Sequence, residues 1–125
     1  MTAKRPLVTV VDDDESVRES LPDLLKELGF DTQAFSSAEA FLGAGQVERS
    51  QCLILDIAMP GMTGPELQLE LVRRGSKIPI VFITAQCDET TRSMVVQRGA
   101  VTCLSKPFTE VALLEALDTA LGAKR

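Results

Sequence analysis

Histidine is missing from all 125 residues. That removes the commonest general base and metal ligand, and with it every catalytic triad or zinc site built on imidazole. Cysteine is scarce. Cys52, Cys87 and Cys103 are odd in number, widely spaced and never in a C-x-x-C pair. This usage suits reduced thiols acting as small buried hydrophobes better than a disulfide framework. No apolar run approaches the ~18 residues of a membrane helix. The basic start, Met1-Thr2-Ala3-Lys4-Arg5-Pro6, leads into only five apolar-leaning residues before three acids, which is not a signal peptide. A cytoplasmic protein without membrane contact is expected. Positive charge is in deficit as well, with 13 Lys and Arg against 18 Asp and Glu and a net charge of −5. Such a surface is a poor match for a phosphate backbone, so this chain alone is not expected to bind DNA.

What is present is ordinary globular composition, 45% hydrophobic and 25% charged, which excludes intrinsic disorder. The length suits one domain spanning residues 1–125, able to bury roughly two-thirds of its unfolded surface without a disulfide or metal staple. Short apolar runs recur at Leu7 to Val11, Cys52 to Leu55, Ile78 to Ile83 and Val101 to Leu104, with a weaker alternating candidate at Asp31 to Phe35. Between them lie stretches with helical spacing. That alternation predicts an α/β fold, a doubly wound five-stranded parallel sheet with helices on both faces.

The first helix carries Val17, Leu21, Leu24, Leu25 and Leu28 on one stripe and stops at Gly29. Pro22 inside it costs a hydrogen bond and is expected to disturb its middle. A short second helix follows Ser37 and ends near Gly43 to Gly45. A third runs from Pro65 to Gly75, a fourth from Asp88 to Gly99, and a fifth starts at Thr109 as N-cap.

In an open parallel sheet the site lies beyond the carboxyl ends of the strands. Asp12, Asp13 and Asp14 follow the first run, Asp56 ends the Cys52 strand, Thr84 ends the next, and Lys106-Pro107 follows the last. Asp14 reads as a helix cap. Crowded carboxylates repel one another, and a divalent cation between them relieves the repulsion. All the ligands on offer are oxygens, which suits Mg²⁺ or Mn²⁺. With Lys106 as a point charge and Thr84 as a hydroxyl donor, the set is suited to phosphoryl transfer.

Four segments together, Val11-Asp12-Asp13-Asp14, Leu55-Asp56-Ile57-Ala58-Met59-Pro60-Gly61-Met62-Thr63-Gly64, Ile83-Thr84-Ala85 and Lys106-Pro107-Phe108, resemble the receiver domains of bacterial two-component response regulators in order and spacing. Ser37 to Leu42 and Gly99-Ala100-Val101 further resemble the branch typified by FixJ. The resemblance covers Leu7 to Leu121. It implies the flavodoxin-like strand order 2-1-3-4-5 with five helices, and a phosphorelay switch rather than an enzyme. Asp56 is then the phosphoacceptor, receiving a phosphoryl group from a sensor histidine kinase. Asp12, Asp13, Asp56 and the Ala58 carbonyl hold Mg²⁺, while Thr84 and Lys106 meet the phosphoryl group. A cis Lys106-Pro107 peptide is also implied. Control of transcription through a C-terminal DNA-binding domain beyond this chain is the expected output, with homodimerisation on phosphorylation.

Two features of the sequence bear on that expectation. Cys103 stands three residues before Lys106, where the family commonly carries Tyr or Phe, so a backbone loop rather than an aromatic rotamer is expected to carry the signal. The alternative is a magnesium-dependent phosphatase of the haloacid dehalogenase type. It shares the aspartate, hydroxyl and lysine but needs D-x-D, and Asp56-Ile57-Ala58 lacks the second acid.

Overall fold

The computed structural model describes residues 5–122; Met1 to Lys4 of the basic start lie outside them. Strands and helices alternate along the chain: β1 (Leu7–Val11), α1 (Glu15–Glu27), β2 (Asp31–Phe35), α2 (Ala38–Gly43), β3 (Cys52–Asp56), α3 (Gly64–Arg73), β4 (Ile80–Thr84), α4 (Glu89–Gln97), β5 (Thr102–Ser105) and α5 (Glu110–Ala120). The five strands form one parallel sheet in the order β2-β1-β3-β4-β5. The expected α/β architecture and the strand order 2-1-3-4-5 are therefore found.

Strand side chains point alternately to the two faces of the sheet, and the core divides accordingly. Cys52 and Ile54 of β3, with Val81 and Ile83 of β4, pack beneath Leu21 and Leu25 of α1 and Leu113 and Leu117 of α5. Leu53 and Leu55, with Phe82 and Cys103, pack against Phe41 of α2, Leu67 and Leu71 of α3 and Val95 of α4. Both faces of β3 and β4 are covered, which is why every residue of these two strands is buried. Near-continuous apolar runs are the sequence consequence of such two-sided burial.

Helix starts follow the sequence closely, because each has a side-chain acceptor for its otherwise unpaired first amides. Asp14, Ser37, Thr63, Asp88 and Thr109 cap α1 to α5 in turn. At α3 the Glu66 amide donates to Thr63 Oγ1 at 3.3 Å and the Thr63 amide donates to Glu66 Oε1 at 2.9 Å, a reciprocal capping box.

Several boundaries differ from the sequence expectation. β4 begins at Ile80 rather than Ile78, because β3 meets its neighbour only there: Leu53 pairs with Ile80. β5 runs from Thr102 to Ser105, one residue later than its apolar run, and Ser105 still pairs with Thr84. Pro22 leaves α1 continuous from Glu15 to Glu27; packing of Leu21 and Leu25 into the core outweighs the lost bond. Cys52 and Cys103 are fully buried as expected, whereas Cys87 sits half-buried in the loop before α4.

Candidate functional site

The strand order reverses direction between β1 and β3, and the carboxyl ends of that adjacent pair border the crevice where ligands bind in such sheets. Val11 pairs with Leu55, so the next residues, Asp12 and Asp56, come side by side. Asp12 is fully buried and Asp56 nearly so, while Asp13 is exposed. One carboxylate oxygen from each of Asp12, Asp13 and Asp56 lies within 4.8 Å of the others.

Lys106 reaches the same cluster from beyond β5. Its Nζ lies 2.8 Å from Asp12 Oδ2 and 3.8 Å from Asp56 Oδ1. The backbone delivers it there: the Lys106 amide donates to the Thr84 carbonyl at 2.7 Å, and the Lys106-Pro107 peptide is cis, as the resemblance implied. Thr84 ends β4 with a nearly buried side chain. Ala58 is exposed in the loop after β3. Asp14 stays out of the cluster as a cap, accepting from the Ser16 amide at 2.9 Å and the Ser16 hydroxyl at 2.8 Å, which holds its carboxyl below the usual range.

The electrostatics are those of an under-neutralised pocket. Burial and the adjacent Asp12 charge push Asp56 up to about 7, against the opposing pull of Lys106. For Lys106 burial disfavours the charged form, but the hydrogen bond and charge of Asp12, with the charges of Asp56 and Asp14, prevail and hold it above its ordinary value. Two buried carboxylates therefore share one ammonium. Asp12 Oδ1 accepts from the Asp14 amide at 2.9 Å. Asp12 Oδ2, fully buried, takes the Lys106 ammonium at 2.8 Å as its partner. Three carboxylates within 4.8 Å of one another, with one ammonium beside them, form a set of hard oxygen donors that fits a divalent cation.

The loop from Ile57 to Thr63 is fixed from three sides, by contacts with no local mark in the sequence. The Ile57 amide donates to the Ile83 carbonyl and the Gly64 amide to the Ile57 carbonyl, both at 3.0 Å. The Met62 amide donates to Glu39 Oε2 of α2 at 2.9 Å. The Thr63-x-x-Glu66 spacing is a legible signal for the cap, but nothing nearby marks Glu39 as a support for a loop more than twenty residues away.

A flavodoxin-like α/β domain with an acidic, cation-ready pocket at its carboxyl rim is what the fold and site define. A family model described as the response regulator receiver domain matches residues 8–118. The response regulator protein TmoT of Ectopseudomonas mendocina is 40% identical over 122 residues, 97% of this chain and 55% of that protein. Among solved structures, the response regulator StyR superposes with a TM-score of 0.86 at 46% identity, over 95% of this chain and 60% of that one. FixJ-N gives a TM-score of 0.84 at 33% identity, over 100% and 98%. The chain belongs to the response regulator receiver domains and is FixJ-like among them. Proteins of this family are signalling switches rather than conventional enzymes, and they work with sensor histidine kinases. The chain spans about half the length of the curated relatives it matches. Among the described residues no helix is long and apolar enough to cross a membrane. The phosphatase alternative finds no support: the family match is to receivers, and Ala58 stands where a second acid would be needed.

Proposed function

We propose that this chain accepts a phosphoryl group on Asp56 from a phosphohistidine of a sensor kinase, and that the modified state is passed on through the loop after β4 and the face it adjoins. The observation that carries this reading is the placement of one buried aspartate among two further carboxylates and a lysine, at the strand ends where the sheet's connections diverge. Asp56 Oδ forms the new O–P bond as the N–P bond to the donor breaks. Lys106 keeps positive charge beside Asp56, and the Thr84 hydroxyl donates to a phosphoryl oxygen once the group has arrived. Asp12, Asp13, Asp56 and the Ala58 carbonyl would hold Mg²⁺, which supplies charge neutralisation at the acceptor and at the transferring oxygens.

The raised Asp56 carboxyl ties this chemistry to the metal. Burial and the Asp12 charge favour the protonated form of Asp56, a poor nucleophile, and a cation in the pocket would favour the carboxylate. With acetyl phosphate as donor, intact mass should show one added phosphoryl group with Mg²⁺ and almost none with chelator. A gain of label equally fast in both conditions, or label mapping away from Asp56, would overturn the assignment. Release of phosphate from simple phosphate esters at many turnovers would favour an enzyme instead.

Magnesium should also raise the melting temperature, because it binds the folded pocket and not the dispersed carboxylates of the unfolded chain. Identical melting curves in chelator and saturating Mg²⁺, with no heat of binding, would remove the metal site. Lys106→Met should keep the fold and some metal binding, since the side chain is only partly buried. Labelling should slow, and beryllofluoride should no longer shift amide resonances in the loop from Ala85 to Glu89. An unchanged response would deny Lys106 its coupling role.

The relatives TdiR and TmoT are named as a transcriptional regulatory protein and a response regulator, which supports control of transcription through a DNA-binding output domain outside this chain. Val96 of α4 and Val111 of α5 are exposed apolar residues on the two helices that contact the edge strand β5. They suit that face to a homodimer contact on phosphorylation. Cys103 is fully buried and too small to swing outward as a ring would, so Thr84 and its loop carry the displacement.

A further inference from the structure

Cys103 leaves β5 on the face covered by α3 and α4, in the cluster with Phe82, Leu71 and Val95. Ser105, two residues on, shares that face. The Ser105 hydroxyl accepts from the Cys87 amide at 3.0 Å, which brings the half-buried loop cysteine over the same strand. Cys87 packs against the cluster that contains Cys103, with its thiol donating to the Asp88 carbonyl at 3.9 Å. Neither thiol is needed by the phosphoryl site. Cys52 is separate: it lies on the opposite face of the sheet, in the other core cluster.

We infer that Cys87 and Cys103 form a redox-responsive dithiol, a site where oxidation closes a disulfide that ties the loop between β4 and α4 to β5. This rests on the phosphoacceptor reading, because the loop it would restrain is the one that follows Thr84. The oxidant class is a low-molecular-weight disulfide. The half-buried Cys87, as thiolate, attacks one sulfur of oxidised glutathione, forming a mixed disulfide and releasing one glutathione. Cys103 then attacks the Cys87 sulfur and releases the second. Two protein thiols lose two protons and two electrons, and one disulfide is reduced to two thiols.

The surroundings order these two steps. Burial, with the Cys87 thiol beside it, pushes Cys103 up to about 12, so Cys103 does not react first. Once Cys87 is in a mixed disulfide it can no longer carry negative charge beside Cys103. The Arg92 guanidinium, which donates to the Cys103 carbonyl at 3.1 Å, continues to favour the Cys103 thiolate. The bond then holds the loop against β5, where the Ser105 hydroxyl already meets it. Thr84, three residues earlier, is thereby restrained from moving toward a phosphoryl oxygen. The pair thus makes phosphoryl signalling conditional on reduced thiols.

The test treats the reduced chain with oxidised glutathione and reads intact mass, a peptide map and the rate of labelling by acetyl phosphate with Mg²⁺. The expected product has lost two hydrogens, carries a Cys87–Cys103 cross-link and keeps Cys52 free. Its labelling should be about tenfold slower, within the usual range of coupling between sites, and a dithiol reductant should restore it. Cys87→Ser and Cys103→Ala should each abolish the cross-link while labelling like the reduced parent. A stable glutathione adduct on Cys87 alone, or cross-linking only between molecules, would overturn the site. A cross-linked chain that is labelled as fast as the reduced one would overturn its control of the loop. Absence of labelling in the reduced parent would instead count against the phosphoacceptor reading, since the mass and peptide map report the cross-link independently.

Discussion

Asp56→Asn should give a protein that acetyl phosphate no longer labels and that, without metal, is more stable than its parent at neutral pH. The first effect follows from the missing nucleophile and should be complete. The second follows from the direction in which the pocket moves the Asp56 carboxyl, to about 7 in the folded chain against 3.8 when unperturbed. Between those values the folded state holds more protons than the unfolded state, so stability of the metal-free protein declines as pH rises through this window. Below it the penalty is absent, and above it the penalty is full. Each tenfold change in proton affinity between the two states corresponds to about 1.4 kcal/mol. The attraction of Lys106 is already contained in that value, while a buried amide with unmet hydrogen bonds costs about 1–3 kcal/mol, so the gain on substitution should be about 2 kcal/mol above pH 7. Magnesium should reverse the ranking, because only the parent offers the full set of carboxylates. Melts in chelator at pH 5 and pH 8, repeated with Mg²⁺, measure all of this. A variant less stable than the parent at pH 8 in chelator would show that like-charge crowding is not what burdens the pocket.

Gly64→Ala should be the most damaging single methyl in the site. Gly64 opens α3 directly under β3, and a Cβ there would lie 2.2 Å from the Asp56 carbonyl oxygen and 3.0 Å from Phe82 Cε1. Neither neighbour can yield cheaply. The Asp56 carbonyl belongs to a fully paired central strand, and Phe82 is fully buried. The clash can be relieved only by moving α3 away from β3, which breaks the bond from the Gly64 amide to the Ile57 carbonyl. A loss of about 3–4 kcal/mol is expected, with slower labelling because Asp56 moves as the helix retreats. Chemical denaturation and the acetyl phosphate rate check both. A variant within about 1 kcal/mol of the parent would mean that this approach is looser than the structure shows. Gly61→Ala serves as a contrast. It places its Cβ 2.7 Å from Glu39 Oε2, and that carboxylate is the end of a flexible exposed side chain that can turn away at the cost of its bond to the Met62 amide. The left-handed φ of +75° adds backbone strain, so a moderate loss is expected there.

Much of the molecule was decided by local chemistry and is legible in the sequence. Four apolar runs and one alternating segment mark the strands because inner parallel strands are buried on both faces and an edge strand is less so, and Ser37, Thr63, Asp88 and Thr109 mark helix starts because their side chains accept from the first helical amides. The site residues were legible too, since Asp12, Asp13, Asp56, Thr84 and Lys106 all stand at or just after strand ends. The tertiary structure alone decided what depends on partners distant in the chain. It set the start of β4 at Ile80, through pairing with Leu53 rather than through the apolar character of Ile78. It kept α1 whole across Pro22, because core burial of Leu21 and Leu25 outweighs one missing bond. Only the strand register brings Asp12 beside Asp56, so their charges act on each other at close range and, with burial, hold the Asp56 carboxyl up at about 7. By the same register Cys103, an isolated residue in the sequence, shares a face with Ser105, whose hydroxyl holds the Cys87 amide: pairing β5 with β4 fixes which loop lies over which strand, and no spacing along the chain encodes that.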